Sequence, residues 1–93
     1  MNMLQLLDRK VSEKEIIELL QDLIRIPSHR DTPGRERKIA LYIHDFLRRQ
    51  GIETELMPVL DDRPNVVAFL RGSGGGKKLM LNGHTDTVRP YRM

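Results

Sequence analysis

His84 and Asp86 are the residues of this 93-residue chain whose types and spacing carry chemistry. They stand in Gly83-His84-Thr85-Asp86-Thr87-Val88, just after the apolar run Leu79-Met80-Leu81. That run reads as a buried strand, so an imidazole and a carboxylate sit two residues apart where a strand passes into a loop. In open α/β sheets, ligands gather at the carboxyl ends of strands. If strand geometry persists, positions 84 and 86 point to the same side. Asp86 then accepts a hydrogen bond from the imidazole, fixes its tautomer and leaves the other ring nitrogen's lone pair for a metal ion. The competing reading is a histidine that closes the strand end through a backbone hydrogen bond. The chemistry of the residues weighs the two equally. One imidazole does not hold a catalytic metal, and seven residues follow Asp86. The sequence points to a chemistry that it does not perform alone.

The other candidates are weaker. Gly72-Ser73-Gly74-Gly75-Gly76-Lys77 looks like a phosphate loop, but a Walker-type loop needs glycine where Arg71 stands and Ser or Thr where Lys78 stands. A dinucleotide fingerprint starting at Gly72 needs glycine at Lys77. No helical pattern follows to hold an anion, so the run reads as a flexible hairpin tip. His29 and His44 have no partner at metal-binding spacing and read as surface residues. Asp61-Asp62, beside Arg63-Pro64, reads as a solvated turn before a strand.

The elements that position the motif follow from periodicity. Ser12 and Glu15 form a capping-box pattern. Ile16, Ile17, Leu19, Leu20, Leu23 and Ile24 then share one helical face, opposite Glu18, Gln21, Asp22 and Arg25. This helix ends before Pro27, because the residue preceding a proline is pushed out of helical geometry. Thr32-Pro33 reads as the N-cap and first turn of a second helix. Its stripe is Ile39, Ala40, Ile43, Phe46 and Leu47, with Gly51 as the left-handed C-terminal residue. Ile52 to Leu56 then alternates as a half-buried strand, stopped by Pro58. Val66 to Leu70 and Leu79 to Leu81 are apolar on both faces, as in a sheet covered on each side. Gly72 to Gly76 joins these last two strands as a hairpin.

The fold class is therefore α/β: two helices then three strands, the N-terminal part of a mixed-sheet, helix-covered catalytic domain that is incomplete as given. Residues 1–11 read as an N-terminal extension and 12–93 as the domain portion. Two helices cover only part of such a sheet, so a broad apolar surface stays exposed.

Composition limits the function classes. Hydrophobic residues at 39% and charged residues at 31% suit a soluble globular chain and argue against disorder. Aromatics at 4% leave an aliphatic core and no stacking platform for bases. The net charge of +3 is scattered among acidic neighbours, so nucleic acid is not an expected partner. Cysteine is absent, which excludes disulfides and thiolate metal sites. No apolar run is long enough to span a bilayer, and the first eleven residues lack a cleavage-like site; the expected location is cytoplasmic.

Gly83-His84-Thr85-Asp86-Thr87-Val88 resembles the first metal-binding motif of the zinc aminoacylase family. That family includes acetylornithine deacetylases, succinyl-diaminopimelate desuccinylases, aminoacylases and glutamate carboxypeptidases. The resemblance extends to Leu23-Ile24-Arg25-Ile26-Pro27-Ser28, to Phe46-Leu47-Arg48-Arg49-Gln50-Gly51 and to Asn65-Val66-Val67-Ala68. It covers nearly the whole chain from Ser12 onward. It implies that His84 is a ligand of one metal in a dinuclear site and that Asp86 is the active-site carboxylate that orients it. It implies two zinc ions, with cobalt or manganese as alternatives. It also implies a water activated between the metals and a glutamate that carries its proton to the leaving amine. The implied substrates are N-acyl amino acids or small peptides, and the implied parent enzyme is a possible homodimer. The family's bridging aspartate, glutamate pair and later ligands all follow the motif, and here only Thr87 to Met93 remains. Arg89-Pro90 also replaces the proline-rich continuation common after the motif. The expectation is a fragment of a metal-dependent amidohydrolase, inactive alone. The alternative is a non-enzymatic interaction or self-association module.

Overall fold

A computed structural model describes residues 2–60 and 63–90. The element order is α1 (Met3–Lys10), α2 (Glu13–Ile24), α3 (Arg37–Arg49), β1 (Glu53–Leu60) and β2 (Arg63–Phe69). Three helices and a two-stranded antiparallel sheet fit the α/β class in its coarse form. Asp61 and Asp62, read above as a solvated turn, lie outside the described residues.

The first segment is helical where only an extension was expected. Asn2 Oδ1 accepts from the Gln5 amide at 2.9 Å, and the Asn2 amide donates to Gln5 Oε1 at 3.1 Å. This reciprocal box satisfies two otherwise free polar groups and starts α1. In α2 the expected box is half formed. Ser12 Oγ accepts from the Glu15 amide at 3.3 Å, and the helix stops before Pro27 as the sequence requires.

The second helix of the sequence reading begins later than Thr32-Pro33. Residues 29–37 form successive turns, with Thr32 N–H donating to His29, Arg35 to Thr32 and Arg37 to Gly34. Gly34 and Arg35 are both left-handed, at φ of 77° and 52°, which turns the chain before α3 can start. Thr32 Oγ1 caps nothing and is buried without a hydrogen-bond partner. The N-cap of α3 is Glu36, whose side chain is committed elsewhere. At the other end Gly51, at φ 81°, closes the helix as expected, with its amide donating to Arg48 at 2.9 Å.

The hairpin pairs Glu53 with Phe69, Thr54 with Ala68, Leu56 with Val66 and Pro58 with Pro64. Pro58 therefore does not stop β1. The two prolines face each other beside a register irregularity, so residues without an N–H meet where the ladder is already broken. Helix α3 packs on the hairpin face that carries Thr54, Leu56 and Val66. Ile39, Ala40 and Thr54 form the small buried centre. The Thr54 hydroxyl is satisfied by donating to the Ile52 carbonyl at 2.9 Å, and Arg48 Nε reaches the Thr54 carbonyl at 3.3 Å.

The largest difference from the sequence reading is at Leu79-Met80-Leu81. These residues form no strand, and each is at least 85% exposed. The expected hairpin through Gly72 to Gly76 is absent with them among the described residues, and Gly74 and Gly75 take left-handed turns in the open. An apolar run reads as buried only if some other segment supplies a pairing edge, and none of the described residues does so. The far face of the hairpin is open too, with Met57 and Phe69 about half exposed. The accessible surface is 8748 Å², against roughly 5,500 Å² for a close-packed monomer of this mass. The radius of gyration, 15.8 Å, compares with about 12 Å for a compact domain of this length. A broad apolar surface does stay exposed, including Ile16, Ile17, Leu20 and Ile24 along α2.

The Glu36 carboxylate is buried and receives both Arg63 Nε, at 2.8 Å, and Nη2, at 2.9 Å. The Arg63 hydrogen bond outweighs burial and holds its carboxyl below the usual carboxylate range. The unfolded chain therefore takes up this proton first as pH falls, and the stabilising effect is lost between the ordinary carboxylate range and the lower folded value. Denaturant unfolding should show stability intact at neutral and mildly acidic pH and falling as pH drops through and below the ordinary carboxylate range, with Glu36→Gln flattening that slope. Gly51→Ala meets no atom within 4 Å, so its cost is the left-handed φ alone. It should destabilise the α3–hairpin unit by about 1 kcal/mol in the same assay.

Candidate metal-ligand site

The turn that ends α2 and the loop that carries the histidine motif meet side by side. Ser28, 3% exposed, donates from Oγ to the Thr85 carbonyl at 2.7 Å. His29 and Thr87 pair as a parallel bridge. Arg89 forms an ion pair with Asp31, with Nη2 at 3.3 Å from Oδ1. Three contacts thus join residues 28–31 to residues 85–89, in register and in the same chain direction. The motif is not carried on a strand end, as the sequence reading had it, but on an extended segment laid along the post-proline turn.

On that segment His84 and Asp86 come together. His84 Nδ1 lies 3.1 Å from Asp86 Oδ1 and 3.0 Å from the Asp86 carbonyl oxygen. A carbonyl has no hydrogen to give, and an ionised carboxylate has none either. Nδ1 must therefore be the donor to both, and in the neutral ring this places the lone pair on Nε2. The ring is open to solvent, with 82% of the side chain exposed against 61% for Asp86. The expected orientation by Asp86 is present in the geometry, together with a backbone oxygen that the sequence reading did not foresee.

Arg63, which holds Glu36, is the cation on which the motif's carboxylate has a small electrostatic influence. Its guanidinium is held more firmly in the charged form, first by its hydrogen bonds to Glu36 and, as a smaller influence, by the Asp86 charge.

A metal ion fits this arrangement as one ligand's worth of site. His84 Nε2 has the lone pair and the exposure, and Asp86 supplies the outer carboxylate that metal-bound histidines use. Among the described residues no group of three or more His, Asp or Glu side chains gathers to complete a coordination sphere. His29 is turned to a local role, its Nδ1 accepting from the Asp31 amide at 3.3 Å. His44 is not an ordinary surface residue: its side chain is 18% exposed and lies 3.1 Å from Asp45 Oδ1. The sequence reading also missed the parts played by Ser28, Asp31, Glu36 and Arg89. Their partners lie 27 to 58 residues away, and no local pattern signals such pairs. No described helix is long and apolar enough to cross a membrane.

Similarity to known proteins agrees with the motif. The chain is 32% identical over 78 residues to a probable succinyl-diaminopimelate desuccinylase of Staphylococcus epidermidis, covering 84% of this chain and 18% of that protein. It is 29% identical over 92 residues to a probable carboxypeptidase of Aspergillus terreus, covering 90% of this chain and 21% of that one. It is 30% identical over 79 residues to an N-formyl-4-amino-5-aminomethyl-2-methylpyrimidine deformylase of Halalkalibacterium halodurans, at 83% and 18%. No family model matches, and no solved structure matches. The chain spans about a fifth of the length of the curated relatives it matches. These relationships support the aminoacylase- and desuccinylase-type peptidase family for this segment.

Proposed function

We propose that this chain is the portion of a metal-dependent amidohydrolase that contributes His84 as one ligand of a two-metal centre, with residues 12–93 lying in the catalytic domain and residues 1–11 preceding it. The observation that carries this reading is the pair of acceptors on His84 Nδ1, which leaves Nε2 free and exposed. Bound there, zinc, cobalt or manganese would supply Lewis-acid polarisation and an activated water; a single imidazole suits all three. The chain's own residues hold and orient. His84 offers Nε2, Asp86 fixes the ring from behind, and the remaining ligands and the proton-carrying acid come from sequence outside these 93 residues. Substrates of the whole enzyme are N-acyl amino acids or small peptides. Relatives named desuccinylase, carboxypeptidase and deformylase all cleave a bond between an acyl carbon and nitrogen, which supports that substrate class. A cytoplasmic location and a homodimeric parent complete the reading.

A second reading, association without catalysis, is favoured by one observation: α2, the open hairpin face and residues 79–81 leave apolar side chains exposed. Sedimentation equilibrium separates the two. A chain that stays monomeric across a wide concentration range removes this second reading.

The 93-residue chain should show no amide hydrolysis and only weak zinc binding; zinc-dependent turnover by the pure chain would overturn the assignment of the remaining ligands to other sequence. In a longer protein that carries this segment, His84→Ala should lower both activity and bound metal by at least tenfold. Asp86→Ala should lower activity with a smaller loss of metal. Unchanged rates and metal content in both variants would remove the motif's functional role.

A further inference from the structure

We propose that Ser28 is a positioning residue for His84, acting through the Thr85 carbonyl; the metal-site meaning of this inference rests on the reading of His84 as a ligand. His84 and Asp86 are largely exposed, and an exposed pair of side chains does not hold its own geometry against solvent. Both acceptors on Nδ1 belong to Asp86, one from the side chain and one from the backbone. Their placement therefore depends on the backbone between residues 84 and 86. Of the two carbonyls between them, the one that belongs to the Thr85–Asp86 peptide, that of Thr85, is the group that Ser28 Oγ holds at 2.7 Å.

Fixing that oxygen fixes the plane of the Thr85–Asp86 peptide, and so the direction in which Asp86 leaves it. Ser28 is suited to this because it is enclosed. It is 3% exposed, and it directly follows Pro27, whose ring restricts the backbone. The His29–Thr87 bridge and the Asp31–Arg89 ion pair extend the same attachment along the chain. Those two contacts lie beyond Asp86, whereas the serine contact lies inside the His-x-Asp unit. A buried hydroxyl at the end of one helix thereby sets the tautomer of an exposed imidazole 56 positions later.

The test uses the 93-residue chain without metal, with the histidine ring nitrogens observed by nitrogen-15 NMR at mildly alkaline pH. The wild-type His84 ring should be predominantly the Nδ1–H tautomer. Ser28→Ala should change the tautomer ratio severalfold toward Nε2–H while the His44 ring keeps its wild-type signature, and Ser28→Thr, which restores a hydroxyl, should recover it. Should Ser28→Ala unfold the chain, Ser28→Cys keeps the volume while weakening the donor and is read in the same way. A wild-type tautomer ratio in the folded Ala or Cys variant overturns the inference. Addition of zinc to the wild-type chain is the separate arm. A His84 Nε2 resonance that zinc leaves unmoved counts against the ligand reading, while the metal-free comparison still decides the role of Ser28.

Discussion

The buried carboxylate of Glu36 is the constraint that the packed part of this chain is arranged around. An ionised group removed from water must be met by an opposite charge and by hydrogen bonds to each oxygen. Arg63 does both through its planar fork, which matches a carboxylate at two points. Glu36 is the N-cap of α3 and Arg63 the first residue of β2. Their pairing therefore decides how the helix crosses the hairpin, and the apolar contacts of Ile39, Ala40, Leu56 and Val66 follow within that frame. The charge of Asp86 is a minor influence on the same arginine, well behind that of Glu36.

Local features of the chain were legible in its residues. The stripe from Ile16 to Ile24, Pro27 as a stop, Gly51 as a left-handed close and the alternation at Ile52 to Leu56 all depend on neighbours within a few positions. They reappear in α2, α3 and β1. The pairing of His84 with Asp86 was legible for the same reason, since a single residue separates them. What escaped depends on distance along the chain. Leu79-Met80-Leu81 has the composition of a buried strand, but burial is conferred by a partner and not by composition. Thr32-Pro33 has the chemistry of a helix start, yet the left-handed pair Gly34-Arg35 and the commitment of Glu36 to Arg63 move that start to Arg37. Pro58 has the chemistry of a strand stop, but Pro64 opposite it makes the missing donor harmless.

The histidine motif shows a division between rigidity and access. A metal-ligand nitrogen would have to be reachable, and the His84 side chain is exposed. A ligand also has to be oriented, and orientation is conferred by buried atoms. The chain reconciles these by laying an exposed segment along the turn after α2, where Ser28 is enclosed and its neighbours pair with the motif residue by residue. The histidine is thus open on its Nε2 side and constrained on its Nδ1 side, which is the polarity that a metal ligand needs.

The facing prolines of the hairpin carry a consequence for how this chain behaves among its own copies. A two-stranded ribbon has two free margins, each a template for an incoming strand. At positions 58 and 64 neither margin has an amide hydrogen to offer, and the broken register there twists the ribbon away from flatness. Farther along, Glu53 and Glu55 place negative charge beside one margin. A chain with this much uncovered aliphatic surface is under pressure to stack into fibrils, and these four residues turn the ribbon into a poor seed for them.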